Sequence, residues 1–301
     1  MRLIWRLLLV LALLALIAAA TAYMTLRGSL PKLDGELAFT NLVAPVTILR
    51  DDLGVPTVRA ANREDLFFAQ GVLHGQDRFF QMDLARRAAG GRLSELFGAI
   101  ALNRDKAVRV HGLSQVADAS LEAMPPARRR QLDQYVRGVN AGLSQLRQRP
   151  FEYLVLRAQP EPWTARDSLL VALSMFLELT DEEAALDRQR GLMFEALPAD
   201  AYRWLTTPGG RWDAPLMGPE TQPPALPARR WYDSAPSAEA PDDRTPGSNS
   251  FAVAGSRTPH GAALLANDMH LGHAIPNIWY RVHLVQGTDD RTDMQAIGVS
   301  L

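Results

Sequence analysis

Hydrophobic and polar positions change rhythm several times along the chain, and each rhythm predicts a different element. Val46–Arg50 (VTILR) and Val55–Arg59 (VPTVR) are β-rich runs on either side of Asp51-Asp52-Leu53-Gly54, a turn sequence, so a hairpin is expected. Asn62 is placed to cap a helix whose apolar positions Leu66, Phe67, Phe68, Val72 and Leu73 recur at helical spacing. A second helical stretch, QDRFFQMDLARRAAGGRLSELFG, carries Phe79, Phe80, Met82 and Leu84, then charges at Arg86 and Arg87, and should break at Gly90-Gly91. RRRQLDQYVRGVNAGLSQL puts Leu132, Tyr135, Val136, Val139 and Leu143 on one face of an amphipathic helix. Asp167–Leu179 is largely apolar and reads as a more buried helix.

After Leu197 the pattern dissolves. Half of the chain's prolines fall between Pro198 and Pro246, a density that defeats helix and sheet and marks an exposed connector, most clearly from Thr221 onward. The rhythm then turns β. In SNSFAVAG, Phe251 and Val253 alternate with small residues; SRTPHG is a turn, and AALLAND a second strand. A strand that begins at or beside Ser248 is thus followed by a hairpin.

At the other end, Arg2 and Arg6 precede Leu7–Leu26, an uncharged run rich in Leu and Ala and long enough to cross a bilayer as a helix. The basic start keeps that end in the cytoplasm and sends the rest of the chain outward. Ala20-Thr21-Ala22 also suits signal cleavage, so an inner-membrane anchor and a removable signal peptide both stand. Export to the periplasm is the expectation in either case.

Composition adds limits. The chain has 301 residues, 47% apolar and 22% charged, the balance of a folded protein with a sizeable core. A formal net charge of −1 gives no electrostatic case for nucleic acid. Cysteine is absent, which removes disulfides, thiolate metal sites and a cysteine nucleophile.

Ser248 is the residue with candidate chemistry. No G-x-S-x-G elbow surrounds it. A break of the Gly247–Ser248 bond would instead give it a free α-amine, a base with a pKa near 8 carried on the nucleophile itself. Gly247 would let the hydroxyl approach its carbonyl. On its own, Gly-Ser-Asn is also ordinary turn chemistry.

The surroundings of that tripeptide carry more. GSNSFAVAGSRTPHGAALLANDMHLGHAIPNIWYRVHL resembles the start of the β-subunit in the penicillin acylase family of N-terminal nucleophile hydrolases. ILRDDLGVPTVRAANREDLFFAQGVLHGQDRFFQMDLARRAAGGRLSELFG is similar to that family's α-subunit, with its RD-x-x-GVP hairpin and A-x-G-x-x-H-x-QDR-x-x-QM-x-x-x-RR helix. The likeness runs from about Val46 to Leu301, and the proline-rich connector falls where the family carries an excised spacer.

The resemblance implies an α+β chain, part of the αββα sandwich of the N-terminal nucleophile hydrolases, with a mostly helical α-subunit region. It implies residues 1–27 as signal or anchor, 28–197 as α-subunit-like, 198–247 as spacer and 248–301 as the start of the β-subunit. It implies an α/β heterodimer cut from one precursor that hydrolyses a linear amide, such as a penicillin side chain or an acyl-homoserine lactone. By the same likeness Ser248 is nucleophile and base and His270 holds it in position. Leu271, Met175 and Leu179 match acyl-pocket positions, although apolar residues at helical spacing are equally plain core. A family calcium ligand aligns with Ala185, so Glu183, with Glu182 and Asp187 nearby, is the expected substitute; calcium is not needed for the chemistry itself. The family's oxyanion donors and further calcium ligands are expected beyond Leu301, and residues 28–301 alone are therefore expected to be inactive. Two other readings compete. Asp268, His270 and His273, with His283, could form a hydrolytic zinc site, or the chain could be a membrane-anchored binding or scaffold protein that never exposes Ser248 as an N-terminus.

Overall fold

The computed structural model describes residues 2–40, 42–179, 185–210, 218–222, 224–226, 248–269, 275–288 and 291–301. Two compact units emerge, one of Met1–Phe176 with Ala274–Leu301 and one of Leu177–His273.

The first unit begins with α1 (Arg2–Gly28), whose segment Ile4–Gly28 is long and apolar enough to cross a membrane, with mean hydropathy 2.6. The expected hairpin follows as β1 (Thr47–Arg50) and β2 (Pro56–Ala60), antiparallel, with the Asp51 carboxylate accepting from the Leu53 and Val55 amides in the turn. Asn62 caps α2 (Arg63–Asp77) by accepting from the Asp65 amide at 2.8 Å. Next, α3 (Phe79–Gly90) ends on Gly91, whose φ of 63° is the left-handed cap that glycine adopts freely. Short helices α4 (Ser94–Phe97), α5 (Leu102–Arg109) and α6 (Leu113–Glu122) lead to α7 (Pro126–Gln145), α8 (Phe151–Val155) and α9 (Ala165–Leu179).

The packing of α2 against α7 organises this unit. Each helix carries a Gly-x-x-x-Gly pair, Gly71/Gly75 and Gly138/Gly142, and the backbones meet there. A methyl group at Gly138 would sit 2.0 Å from the Phe68 carbonyl oxygen, and one at Gly75 would sit 2.2 Å from that of Val139. Only side chains of zero size permit this approach. Leu66, Ala69 and Leu73 of α2 then cover the sheet through Val58 and Ala60.

That sheet has the order β1-β2-β5-β6, where β5 is Tyr280–Thr288 and β6 is Arg291–Ser300. β2 and β5 run parallel, Thr57 opposite His283, and β5 and β6 are antiparallel. Residues on the far side of the connector thus complete a sheet begun by the first hairpin.

The charges of α3 do not face water. Asp83 is fully buried between Arg86 (2.7 Å) and Arg87 (2.9 Å) and accepts from the Tyr153 hydroxyl at 2.6 Å. Arg86 also reaches Asp167 of α9 at 2.8 Å and lies over the Trp163 ring; Arg87 pairs with Glu95. Every charge has a counterpart, the condition under which charge survives burial.

The second unit holds the end of α9, then α10 (Ala185–Ala196), α11 (Ala199–Thr206) and a two-stranded sheet of β3 (Ser248–Val253) and β4 (Leu264–Met269). Helix α11 stands inside the proline-rich stretch, contrary to the expectation that proline would exclude helix from it. The reason is local. Pro198 occupies the position before the first turn, where no amide is needed, and the next proline, Pro208, comes after the helix has ended. Helix α9 is also less buried than its composition suggests, for Phe176 and Leu179 are 50% and 60% exposed.

Candidate active site

The β3–β4 hairpin places the candidate nucleophile. Its register sets Ser248 opposite Met269, Asn249 opposite Asp268 and Ser250 opposite Asn267. Side chains reinforce the backbone pairing, since Ser250 Oγ donates to Asn267 Oδ1 at 2.7 Å and Asn249 Nδ2 to Asp268 Oδ2 at 3.4 Å. Ser248 is exposed, as the first residue of its strand. His270 is the next residue in sequence after Met269, the cross-strand partner of Ser248. Gly247, His270, Leu271 and His273 themselves lie outside the described residues.

Of the expected pocket positions, Met175 is half-buried on α9 and Leu179 is exposed at that helix's end. The first unit contains a cavity of about 400 Å³ whose α9 wall is formed one to two turns earlier, by Ser168, Leu169, Val171 and Ala172. His74 and Tyr135 provide polar points in a lining that is otherwise mostly apolar. His74 Nδ1 and the Tyr135 hydroxyl are 2.8 Å apart, and His74 Nε2 lies 3.3 Å from Ser300 Oγ. Burial, helped by the neighbouring Arg78 charge, pushes the His74 pKa down to about 4, so the ring is neutral near pH 7. Burial raises the Tyr135 hydroxyl, which therefore stays protonated.

Sequence reasoning passed over His74. The signal was a histidine on the apolar face of α2 with Tyr135 on the apolar face of α7, but nothing local says that those faces meet.

Among the described residues no group of three or more His, Asp or Glu could hold a metal ion. Glu182 and Glu183 lie outside them, and Asp187 is exposed in the first turn of α10. Asp268 is paired across the hairpin, and His283 of β5 has its Nδ1 3.4 Å from Thr57 Oγ1. The residues described do not assemble a calcium or zinc site.

The penicillin amidase family model matches residues 45–301. The chain belongs to the penicillin amidase family. Its mixed helix-and-sheet fold is accordingly that of these N-terminal nucleophile hydrolases. Penicillin acylase 2 proenzyme of Pseudomonas sp. (strain SE83) is 36% identical over 290 residues, covering 94% of this chain and 37% of that protein. Acyl-homoserine lactone acylase QuiP of Pseudomonas aeruginosa is 30% identical, covering 91% of this chain and 32% of that protein. Thermostable penicillin G acylase from Alcaligenes faecalis has a solved chain that is 26% identical, with a TM-score of 0.47; the match covers 63% of this chain and all of that one. The chain spans about a third of the length of these two curated penicillin amidase relatives.

Proposed function

We propose that this penicillin amidase family chain belongs to an amide hydrolase that cleaves an acyl group from an amine, with Ser248 as its nucleophile. The observation that carries the proposal is the position of Ser248, exposed at the head of β3 and fixed in register by β4, inside a family match that runs through it. Relatives named as a penicillin acylase and an acyl-homoserine lactone acylase support linear acyl amides as the substrate class. One of them is named a proenzyme, which supports activation by a cut.

The cut is drawn as an intramolecular acyl shift. Ser248 Oγ attacks the Gly247 carbonyl carbon, the C–N bond to Ser248 breaks, and the nitrogen takes a proton to become an amine. Water then hydrolyses the ester, leaving a Gly247 carboxylate and a free Ser248. In turnover the same Oγ attacks the substrate amide. Its proton passes to the new α-amine and on to the departing amine, and water releases the acyl group. The two pieces remain together as an α/β heterodimer. His270 is assigned to orient Ser248, and Leu271, Met175 and Leu179 to contact the acyl group. In this reading α1 is retained as an inner-membrane anchor that holds the enzyme in the periplasm.

Ser248→Ala in the intact precursor tests the chemistry. The variant should stay uncut by mass analysis and lose hydrolysis of a chromogenic acyl anilide, with its unfolding temperature unchanged. Cleavage at Gly247–Ser248 in that variant would assign the cut to another agent and end the self-processing scheme.

A further inference from the structure

Helix α1 is bonded at its end to the rest of the first unit. At its last residue the Gly28 carbonyl accepts a hydrogen bond from the Gln148 amide at 3.0 Å, in the loop between α7 and α8. The fit is close, because a methyl group at Gly28 would lie 2.8 Å from Gln148 Cγ.

The helix also carries its own depth gauge. Trp5 and Tyr23 are separated by eighteen residues, about 27 Å along a helix, close to the ~30 Å of a bilayer's hydrocarbon core. Aromatic rings of this kind sit at the two membrane interfaces. Tyr23 is tied to Arg27, whose Nη1 donates to the tyrosine hydroxyl at 2.9 Å. Gly28 follows Tyr23 by five residues, about 7 Å further out, which is roughly the thickness of the headgroup layer. The α7–α8 loop bonded there is thus held at the level of the lipid phosphates.

Its composition suits that level. Arg147 and Arg149 flank Gln148, and neither has an ion-pair partner among the described residues; Arg149 Nε is buried with no hydrogen-bond partner there. In sequence Arg27 precedes Gly28 and Lys32 follows it by four residues; Glu152 is the one carboxylate within 146–157, while Asp34 and Glu36 follow Lys32. Beside the arginines, Phe151 and Val155 of α8 are 47% and 76% exposed, although Tyr153 between them is fully buried.

We infer that the α7–α8 loop and α8 form a membrane-contact face, with Arg147 and Arg149 on anionic phospholipid headgroups and Phe151 and Val155 at the interface. The inference rests on α1 being a retained anchor. Through this face the first unit stands on the bilayer in one orientation. Each arginine contributes on the order of a five-fold preference for the anionic surface.

Because these 301 residues contain no cysteine, one thiol introduced into this chain reports on the face. The 301-residue chain carrying Val155→Cys, labelled with an environment-sensitive fluorophore, is reconstituted into mixed phosphatidylcholine–phosphatidylglycerol vesicles. Acrylamide quenching should fall several-fold relative to detergent micelles. Arg147→Gln with Arg149→Gln should restore it, as should pure phosphatidylcholine. An alkaline carbonate wash of the same vesicles reports separately on α1. Protein that resists the wash but is quenched as in micelles overturns the contact face and leaves the anchor standing. Protection equal in both lipids overturns the role of the arginines. Protein released by the wash overturns the anchor and the face together.

Discussion

The helical core of the first unit and the Ser248 hairpin of the second are held together by different means. The first buries charge, with Asp83, Arg86 and Arg87 at 2% exposure or less. The second exposes grease, with Phe251 at 59% and Leu265 at 73% on the hairpin that carries Ser248. In the first, these three find counterparts on the same helix or on α9, so the cluster ties helices together. In the second, register comes from backbone pairing and from polar cross-strand contacts at Ser250–Asn267 and Asn249–Asp268. Stability and proposed chemistry therefore reside in different places. A substitution at Ser248 that abolishes the chemistry should leave the stability of the first unit largely alone.

The largest effect is expected where α2 and α7 touch. Gly138→Leu would drive a side chain into the Phe68 carbonyl and should cost more than about 4 kcal/mol, leaving the first unit unfolded in thermal melts. A stable, cooperative melt would mean that the helices can separate. Asp83→Ala comes next. It strands two buried guanidinium groups and should cost about 3–5 kcal/mol by denaturant unfolding, far above the loss of an exposed ion pair such as Arg129–Asp133.

Acid probes the same unit by a third route. The folded His74 pKa is about 4 against 6.5 for the free side chain, so below pH 6.5 the unfolded chain takes up a proton that the folded one refuses. Its contribution to stability is complete above about pH 6.5 and is lost as pH falls toward 4, reaching about 3 kcal/mol. His74→Gln should flatten that part of the stability profile, and an unchanged slope would assign the acid sensitivity to other groups. The smallest effect belongs to the second unit. Phe251→Ser removes an exposed apolar side chain and should move unfolding by less than about 0.5 kcal/mol while reducing self-association in light scattering. A large loss of stability would show that Phe251 is packed in solution and would erase the contrast.

What could be read beforehand divides along similar lines. The β1–β2 turn, the Asn62 cap, the stop at Gly91 and the β3–β4 hairpin are encoded within a few residues and were legible. So was the serine's place at a strand start. The glycines of α2 and α7 were not, because a gap of four residues has meaning only when a second such gap faces it. Arg86 and Arg87 read as ordinary helix charges until Asp167, some eighty residues on, supplies the counter-charge. The parallel partner of β2 was likewise hidden, since Thr57 and His283 are 226 positions apart.

That long-range pairing bears on the order of events in the life of the molecule. While the chain is continuous, β2 finds β5 within one molecule, and the encounter is paid for once by closing a long loop. A break at Gly247–Ser248 lies between the two strands. Afterwards the sheet still holds both pieces, yet a denatured sample would have to reassemble by collision, at a rate that depends on concentration. The cut form would then show hysteresis, retaining a structure to which it no longer has the short route back. Under the proposed scheme folding would precede cleavage, and dilution after unfolding should separate the uncut protein from the cut one more sharply than any difference in their melting temperatures.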